Sequence, residues 1–476
     1  MSVSSHRKLS NSDLDVVHTG TMKILSETGV AFPYAPALAI FKDSGFRIED
    51  EVVFFDEERV MAALDRAPPS FRVHARDAEK DVHVGVGSPV LAPGYGAPFL
   101  ADPVEGVRKP TVEDYRDLVR LAHLLPHQDM TGYLIVQPDD VSTDAAHLRM
   151  LEAHLLLSDK PFIGCTEGES GSRHTLEMSA LAFGKQPEDL NDYPVCIGLI
   201  NPLSPLRFSE EMAAALITYA RHRQPVVVAT AAMAGSTAPI TLAGMLLQQN
   251  AEILAGITLA QLSSPGTPVV YGSTSTNMDM RTGAMAIGSP ELSVMIRATA
   301  QMARYYGLPS RSGGALSDSH STDARAGYES AFSLLTSINS RLDLIIHSAG
   351  ILSSYLVFSR EKFVLDDDLC GMALHFDQGM QFDEHTLALE SIAGVTDKGN
   401  YLKDPMTVSR CRTEFWSPAT FSRDSVQNWI AEGMKDARLQ AAERADALLA
   451  EYQPPPADPG IEKRISEYVD IQLGSE

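Results

Sequence analysis

From residue 89 to residue 350 the chain repeats one pattern: a short apolar run, a polar or glycine-bearing loop, then a longer stretch of helical periodicity. The apolar runs are PVLAPGY (89–95), TGYLIVQ (131–137), PFIGCT (161–166), VCIGLIN (195–201), PVVVATA (225–231), PVVYGST (268–274), PSRSGGAL (309–316) and LDLIIHSAG (342–350). Helical stretches stand between most of them, at 111–125, 142–158, 170–184, 209–223, 241–262, 290–307 and 323–340. Strands that are apolar without alternation are strands covered on both faces, which means a parallel sheet packed under helices. Eight such units in roughly 270 residues predict an α/β fold, a (β/α)8 barrel of the TIM type, rather than an open sheet. PSRSGGAL is the weakest strand by composition and is kept because the spacing requires one.

The flanks differ. Residues 12–30 (SDLDVVHTGTMKILSETGV) place Val16, Met22, Ile24 and Leu25 near helical spacing, with acids early and Gly29 at the end. PYAPALAIFKDSG (33–45) repeats that pattern, and FRVHARD (71–77) with DVHVGVG (81–87) alternates as paired strands do. SVQNWIAEGMKDARLQAAERADALLAEY (425–452) reads as one long charged helix that PPPADPG (454–460) ends. The expected organisation is a helical region with a small hairpin over 1–88, the barrel over 89–400 and a helical extension over 401–476. The tail is expected to pack on another subunit, making the protein a homo-oligomer.

The 476 residues include 39 Lys+Arg against 62 Asp+Glu, a formal net charge of −23. So acidic a chain is a poor partner for a nucleic-acid backbone or an anionic membrane. The first residues, MSVSSHRKLSNSDLD, lack a secretory apolar core, and no apolar stretch is long enough to span a bilayer. A cytoplasmic location is expected. Cys165, Cys196, Cys370 and Cys411 are scattered without a Cys-x-x-Cys pair, so reduced thiols are expected rather than a zinc ribbon.

Barrel enzymes carry their chemistry at the C-terminal ends of the strands. That rule selects Tyr95, Gln137, Thr166, Glu167, Asn201, Thr230, Tyr271, Asp318, His320 and His347. GCTEGESG (164–171) leads into a helix start suited to an anion or to ordinary capping. GGALSDSHSTDARAGYES (313–330) puts Asp318 and His320 close enough to share a site. QQNAEILAG (248–256) places Glu252 in an apolar helix, where a carboxylate needs a partner. No metal-ligand spacing, GxGxxG, P-loop or GxSxG motif occurs, so neither a bound metal nor a nucleotide is expected. Asp318, His320, His347 and Glu252 are the candidate catalytic residues. An unrelated barrel lyase or hydrolase with Asp318 and His320 as an acid–base pair is an alternative reading, and so is a quaternary-amine-binding protein without catalysis.

HTGTMKILSETGV, GCTEG, NPLSPL (201–206), AMAGSTAPITLAGMLLQQNAEILAGI (232–257), PGTPVVYGS (265–273), GGALSDS and DARAGYES resemble the trimethylamine:corrinoid methyltransferase family over essentially the whole chain. The resemblance implies a (β/α)8 barrel that passes a methyl group from an amine nitrogen to the Co(I) corrinoid of a separate protein. Members that use trimethylamine carry pyrrolysine in the barrel, and the segment from Asp318 to Ser321 is taken as the matching place. This sequence has only the twenty common residues. It therefore resembles the branch without pyrrolysine, which includes a glycine betaine methyltransferase. A quaternary amine is then the expected substrate, because its departing amine is neutral. Tyr95, Phe99, Tyr271, Tyr355 and Phe358 are expected to cage the cationic head, with Asn201 beside them. Arg311 or His347 is expected to clamp a carboxylate at the other end.

Overall fold

The structure is a computed structural model and describes residues 8–102, 105–395, 399–456 and 459–474. Seven of the expected runs form one parallel sheet: β1 (Val90–Ala92), β2 (Phe162–Gly164), β3 (Cys196–Ile200), β4 (Val226–Thr230), β5 (Val269–Ser273), β6 (Ser310–Ser312) and β7 (Leu344–Ile346). Their order is β1-β7-β6-β5-β4-β3-β2. Every residue of β1 to β7 is buried, as continuous apolar runs require. The poorest run by composition still forms β6, and its polar Ser310 and Ser312 are buried with it.

The run at 131–137 does not become a strand. Gly132 adopts a left-handed φ of 76°, which breaks the extended path. The segment nevertheless fills the gap between β1 and β2. Met130 N–H donates to Leu91 O at 3.1 Å, Thr131 N–H to Pro161 O at 3.0 Å, and Ile163 N–H to Gly132 O at 2.9 Å. Behind it, buried His154 bonds Thr131 Oγ1 at 2.7 Å and Tyr115 Oη at 2.6 Å. Burial pushes that imidazole down to about 4, so it bridges as a neutral ring. The barrel thus has seven strands and one irregular stave.

The connecting helices start where side-chain caps permit. Thr111, Ser142, Ser209, Thr241, Ser289 and Asp323 each accept a backbone N–H of the following turn. They open α1 (Val112–Leu124), α2 (Thr143–Leu157), α4 (Glu210–Arg221), α5 (Leu242–Ser263), α6 (Pro290–Tyr305) and α7 (Ala324–Asn339), with α3 (Gly168–Ala182) between α2 and α4. The helix Asn11–Glu27 packs across α5, and its buried stripe is Leu14, Val17, Thr21, Met22 and Leu25. Met22 and Leu25 are buried as expected, but Val16 is 69% exposed and its neighbour Val17 takes the inward place. The hairpin expected near 71–87 forms from Phe71–Val73 and Val82–Val84.

Three features lie outside the sequence reading. Val30–Ala31, Arg47–Glu49 and Val52–Phe54 form a small sheet near the N-terminus. Ile351–Leu352, Val357–Ser359, Phe99–Asp102 and Gly106–Arg108 make a four-stranded sheet, built from segments that follow β1 and β7. After it comes α8 (Arg360–Gln378). The expected single helix over 425–452 is two, Val426–Ala431 and α9 (Ala437–Glu451), because Gly433 and Met434 both take positive φ and Asp436 caps a fresh start. α9 packs on α8 and α1, and the last helix, Pro459–Gly474, packs on α2 and α3. No helix among the described residues is long and apolar enough to cross a membrane.

Candidate active site

Strand parity decides which side chains enter the barrel. On β5, Tyr271 and Ser273 bond outward to Asn250 and Gln249 of α5, so Val270 and Gly272 face inward. Gly272 is in register with Arg311 on β6, and Arg311 with Leu344 on β7. Register partners of a parallel sheet share a face, so Arg311 points into the barrel.

Arg311 is 1% exposed, yet among the described residues no carboxylate pairs with it, and its Nε has no hydrogen-bond partner there. Burial lowers its guanidinium to about 10, which still leaves it charged at neutral pH. The phenols of Tyr355 and Tyr95 are its electrostatic neighbours, and it in turn acts on His347. A buried cation without an anion is costly, and folds normally match it.

His347 follows β7 with a φ of 65°. Its backbone N–H donates to Pro93 O at 3.1 Å, and its Nδ1 accepts the Tyr95 N–H at 3.1 Å. The acceptor role at Nδ1 leaves the proton on Nε2. Burial, helped by Arg311, drives its pKa well below the ordinary histidine value, so the ring is neutral. Its centroid lies 4.8 Å from that of Tyr355.

Tyr355 ends a strained turn in which Ser353, Ser354 and Tyr355 all take positive φ, at 51°, 55° and 74°. Such conformations cost non-glycine residues on the order of 1 kcal/mol or more each. The loop 317–320 holds the turn in place. Ser353 N–H donates to Ser319 O at 2.9 Å, Ser354 Oγ to Asp318 Oδ1 at 2.7 Å, and His320 Nδ1 meets Ser353 Oγ at 2.9 Å. The Tyr355 hydroxyl lies beside Thr274 but completes no hydrogen bond. Burial raises its phenol to about 12, so it remains a donor.

On the other side of Tyr95 lie Cys165, Thr166 and Glu167, which follow β2, and Tyr133 of the irregular stave. Burial, reinforced by Glu167, pushes the Cys165 thiol up to about 12, so it is not a thiolate. The Tyr133 hydroxyl is buried without a partner. Two phenols and one guanidinium thus present unmatched donors between buried Tyr133 and the half-buried rings of Tyr95 and Tyr355. That arrangement suits a small molecule with acceptor oxygens at one end and a weakly hydrated cationic group at the other.

The family model for trimethylamine methyltransferase (MTTB) matches residues 2–473. The chain belongs to the trimethylamine methyltransferase family. It is 40% identical over 468 residues to the glycine betaine methyltransferase of Desulfitobacterium hafniense strain Y51, covering 98% of this chain and 97% of that one. It is 32% identical to the proline betaine:corrinoid methyltransferase of Eubacterium limosum, over 94% of each chain. It is 30% identical to the trimethylamine methyltransferase of Methanosarcina barkeri strain Fusaro, over 96% of this chain and 93% of that one. The crystal structure of the monomethylamine methyltransferase of Methanosarcina barkeri shares the fold, with a TM-score of 0.54 at 11% identity, covering 93% of this chain and 88% of that one. This chain is, by family, a methyltransferase.

Within this family member the residues expected from sequence separate into two groups. Arg311, His347, Tyr95 and Tyr355 come together inside the barrel. Asp318 stands next to them, but its oxygens are taken by the N–H groups of Ile287 and Gly288, at 2.9 and 2.8 Å, and by Ser354. His320 is exposed and bonded to Ser353, so Asp318 and His320 act on the turn at 353–355 and not as a pair on a reacting group.

The remaining candidates lie elsewhere. Glu252 sits mid-way along α5 and accepts Leu206 N–H, Ser204 Oγ and Gln248 Nε2 at 2.8, 2.7 and 2.9 Å, fastening the loop after β3. Tyr271 faces the outer helices. Phe358 packs against Phe363 at 5.2 Å, and Phe99 lies under Lys109 at 5.0 Å, both on the four-stranded sheet. Asn201 ties β3 to β4 through Ala229 O at 2.7 Å. Tyr133 and Cys165 escaped the sequence reading. TGYLIVQ did contain the aromatic, but treating the run as a regular strand directed attention to Gln137 at its end.

Proposed function

We propose that this methyltransferase takes a methyl group from a small quaternary amine bearing a carboxylate, a betaine, and delivers it to the corrinoid of a partner protein. The observation that carries the reading is Arg311, a charged guanidinium buried in the barrel with no anion beside it among the described residues. A carboxylate would supply the missing partner in bidentate form. The Tyr355 hydroxyl adds a second donor, and the ring faces of Tyr95 and Tyr355 receive the N-methyl groups at about 0.5–2 kcal/mol per contact. The corrinoid supplies the nucleophile.

The N–CH3 bond breaks with its electron pair staying on nitrogen, so the departing tertiary amine is neutral and no proton is required. A neutral His347 and a protonated Tyr355 suit that chemistry, since neither has to ionise. The protein's contribution is positioning the methyl for in-line transfer. The same reading places the enzyme in the cytoplasm, a reducing compartment that agrees with four free cysteines.

The test is methyl transfer to Co(I) cobalamin, with glycine betaine, proline betaine, carnitine, choline and trimethylamine compared at equal concentration. Carboxylate-bearing amines should lead choline and trimethylamine by tens- to hundreds-fold in kcat/KM, about 2–3 kcal/mol for a charge-assisted contact. Turnover of trimethylamine with no betaine reacting overturns the substrate. Tight betaine binding without transfer favours a binding protein.

A further inference from the structure

From residue 379 to residue 440 not one described residue is buried. Up to Asp436 the described residues of this arm form only short helices, Leu389–Ala393, Pro405–Arg410 and Val426–Ala431. Helices of one turn do not hold themselves in water. Yet the arm is rich in large apolar side chains: Phe382, Leu389, Leu402, Val408, Phe415 and Ile430 are each more than half exposed. It is fastened to the body where Asp368 of α8 accepts the N–H groups of Ala419 and Thr420, both at 2.8 Å. A second apolar face lies beside it on the packed pair α7 and α8. Tyr328 and Phe332 on α7, and Met372 and Phe376 on α8, are each four residues apart and exposed. Along the seam runs a cleft of about 680 Å³ between Trp416 and Phe421 of the arm and Leu365, Leu369 and Met372 of α8.

We infer that the arm and the α7–α8 face form the interface between two copies of this chain, the arm of one lying on the helices of the other. The area argues for this occupant. Ten such side chains at roughly 100 Å² each expose about 1,000 Å² of apolar surface, against about 300–600 Å² for the largest patch of an ordinary monomer. Two copies would bury about 2,000 Å², the range of permanent subunit contacts, whereas a partner that docks and leaves uses a smaller, more polar surface. Arm and receiving face belong to the same chain and adjoin one another, which is the self-complementarity a two-fold interface needs. The cleft beside Trp416 then takes apolar side chains of the partner's arm. This inference does not depend on the substrate assigned above.

The test begins with light scattering of the purified full chain through a dilution series into the low-micromolar range. A dimer, or a larger assembly of dimers, is expected throughout. The Phe382→Glu/Phe415→Glu variant is expected to halve the mass while keeping the helical circular dichroism of the barrel. Because that variant could misfold, wild-type protein is also mixed from 14N- and 15N-labelled copies and cross-linked. Mixed-isotope links should join residues 379–440 to residues 324–378. A monomeric wild type overturns the inference, as does an oligomer whose inter-copy links avoid the arm. So does a monomer whose arm is protected from hydrogen exchange only when the corrinoid protein is added.

Discussion

Among the described residues two cationic side chains, Lys362 and Arg311, are buried, and they are treated in opposite ways. Lys362 on α8 is 1% exposed, and its ammonium donates to Asp366, to Ser330 Oγ at 2.8 Å and to Ala315 O at 3.2 Å. Its three N–H bonds meet three acceptors, so nothing is left to bind. Burial lifts the Asp366 carboxyl, and the Lys362 ammonium and the Gly350 N–H pull it back. Arg311, equally buried on β6, meets no carboxylate among the described residues, and its Nε is unmatched. The lysine is completed within the fold, while the arginine keeps an unmatched donor, the gap that the proposed carboxylate would fill. The useful question about a buried charge is therefore what completes its hydrogen bonds.

Breaking the complete site should cost the most stability. Lys362→Met leaves Asp366 buried without its cation and is expected to lose about 3–5 kcal/mol, read by chemical denaturation; Lys362→Met/Asp366→Leu should recover most of it. Breaking the open site should do the reverse. Arg311→Met is expected to lower kcat/KM for a betaine by about 2–5 kcal/mol. Its melting temperature should hold or rise, because a guanidinium depressed to about 10 from 12.5 carries roughly 3 kcal/mol of uncompensated charging cost. If Arg311→Met melts as early as Lys362→Met, the contrast between the two sites fails.

The pH dependence sharpens the same contrast. Arg311 has its folded-state value below the unfolded one, so its charging cost is fully present below about pH 10 and is relieved between there and 12.5. Betaine affinity, measured by calorimetry, should be flat through neutrality and fall as pH approaches 10. A fall near pH 6–7 instead would assign binding to a histidine. The smallest effect belongs to Tyr355→Phe. Its hydroxyl has no partner in the free protein, so stability should not change, while betaine binding weakens by about 1 kcal/mol, up to tenfold.

The alternation of apolar runs and amphipathic helices was enough to read the barrel, because each helix also carries its cap in the sequence, from Thr111 to Asp323. The irregular stave was not readable, since the left-handed turn at Gly132 interrupts a run that is as apolar as any strand. The four-stranded sheet was missed for another reason: its strands are two to four residues long, too short for periodicity to show. Strand ends selected Tyr95 and His347, which the fold brings together beside Arg311 and Tyr355. They could not say which way Tyr271 or Phe358 points. A strand buried on both faces has no alternation to reveal its inward side. Glu252 was read as reactive because it is buried, but Ser204, Leu206 and Gln248 already complete it.

The stave at 129–136 makes the barrel a ring with a slit. Everywhere else a parallel ladder resists shear, but here β1 and β2 are joined through scattered hydrogen bonds, from Asp129, Met130, Thr131 and Gly132, to a loop-like segment that carries Tyr133. Radial strain concentrates at the softest joint of a ring. Amide exchange should therefore start in this segment, well before β4 or β5 releases a proton. A ring with one such joint is expected to change its diameter there first, with each of the seven strands keeping its neighbour.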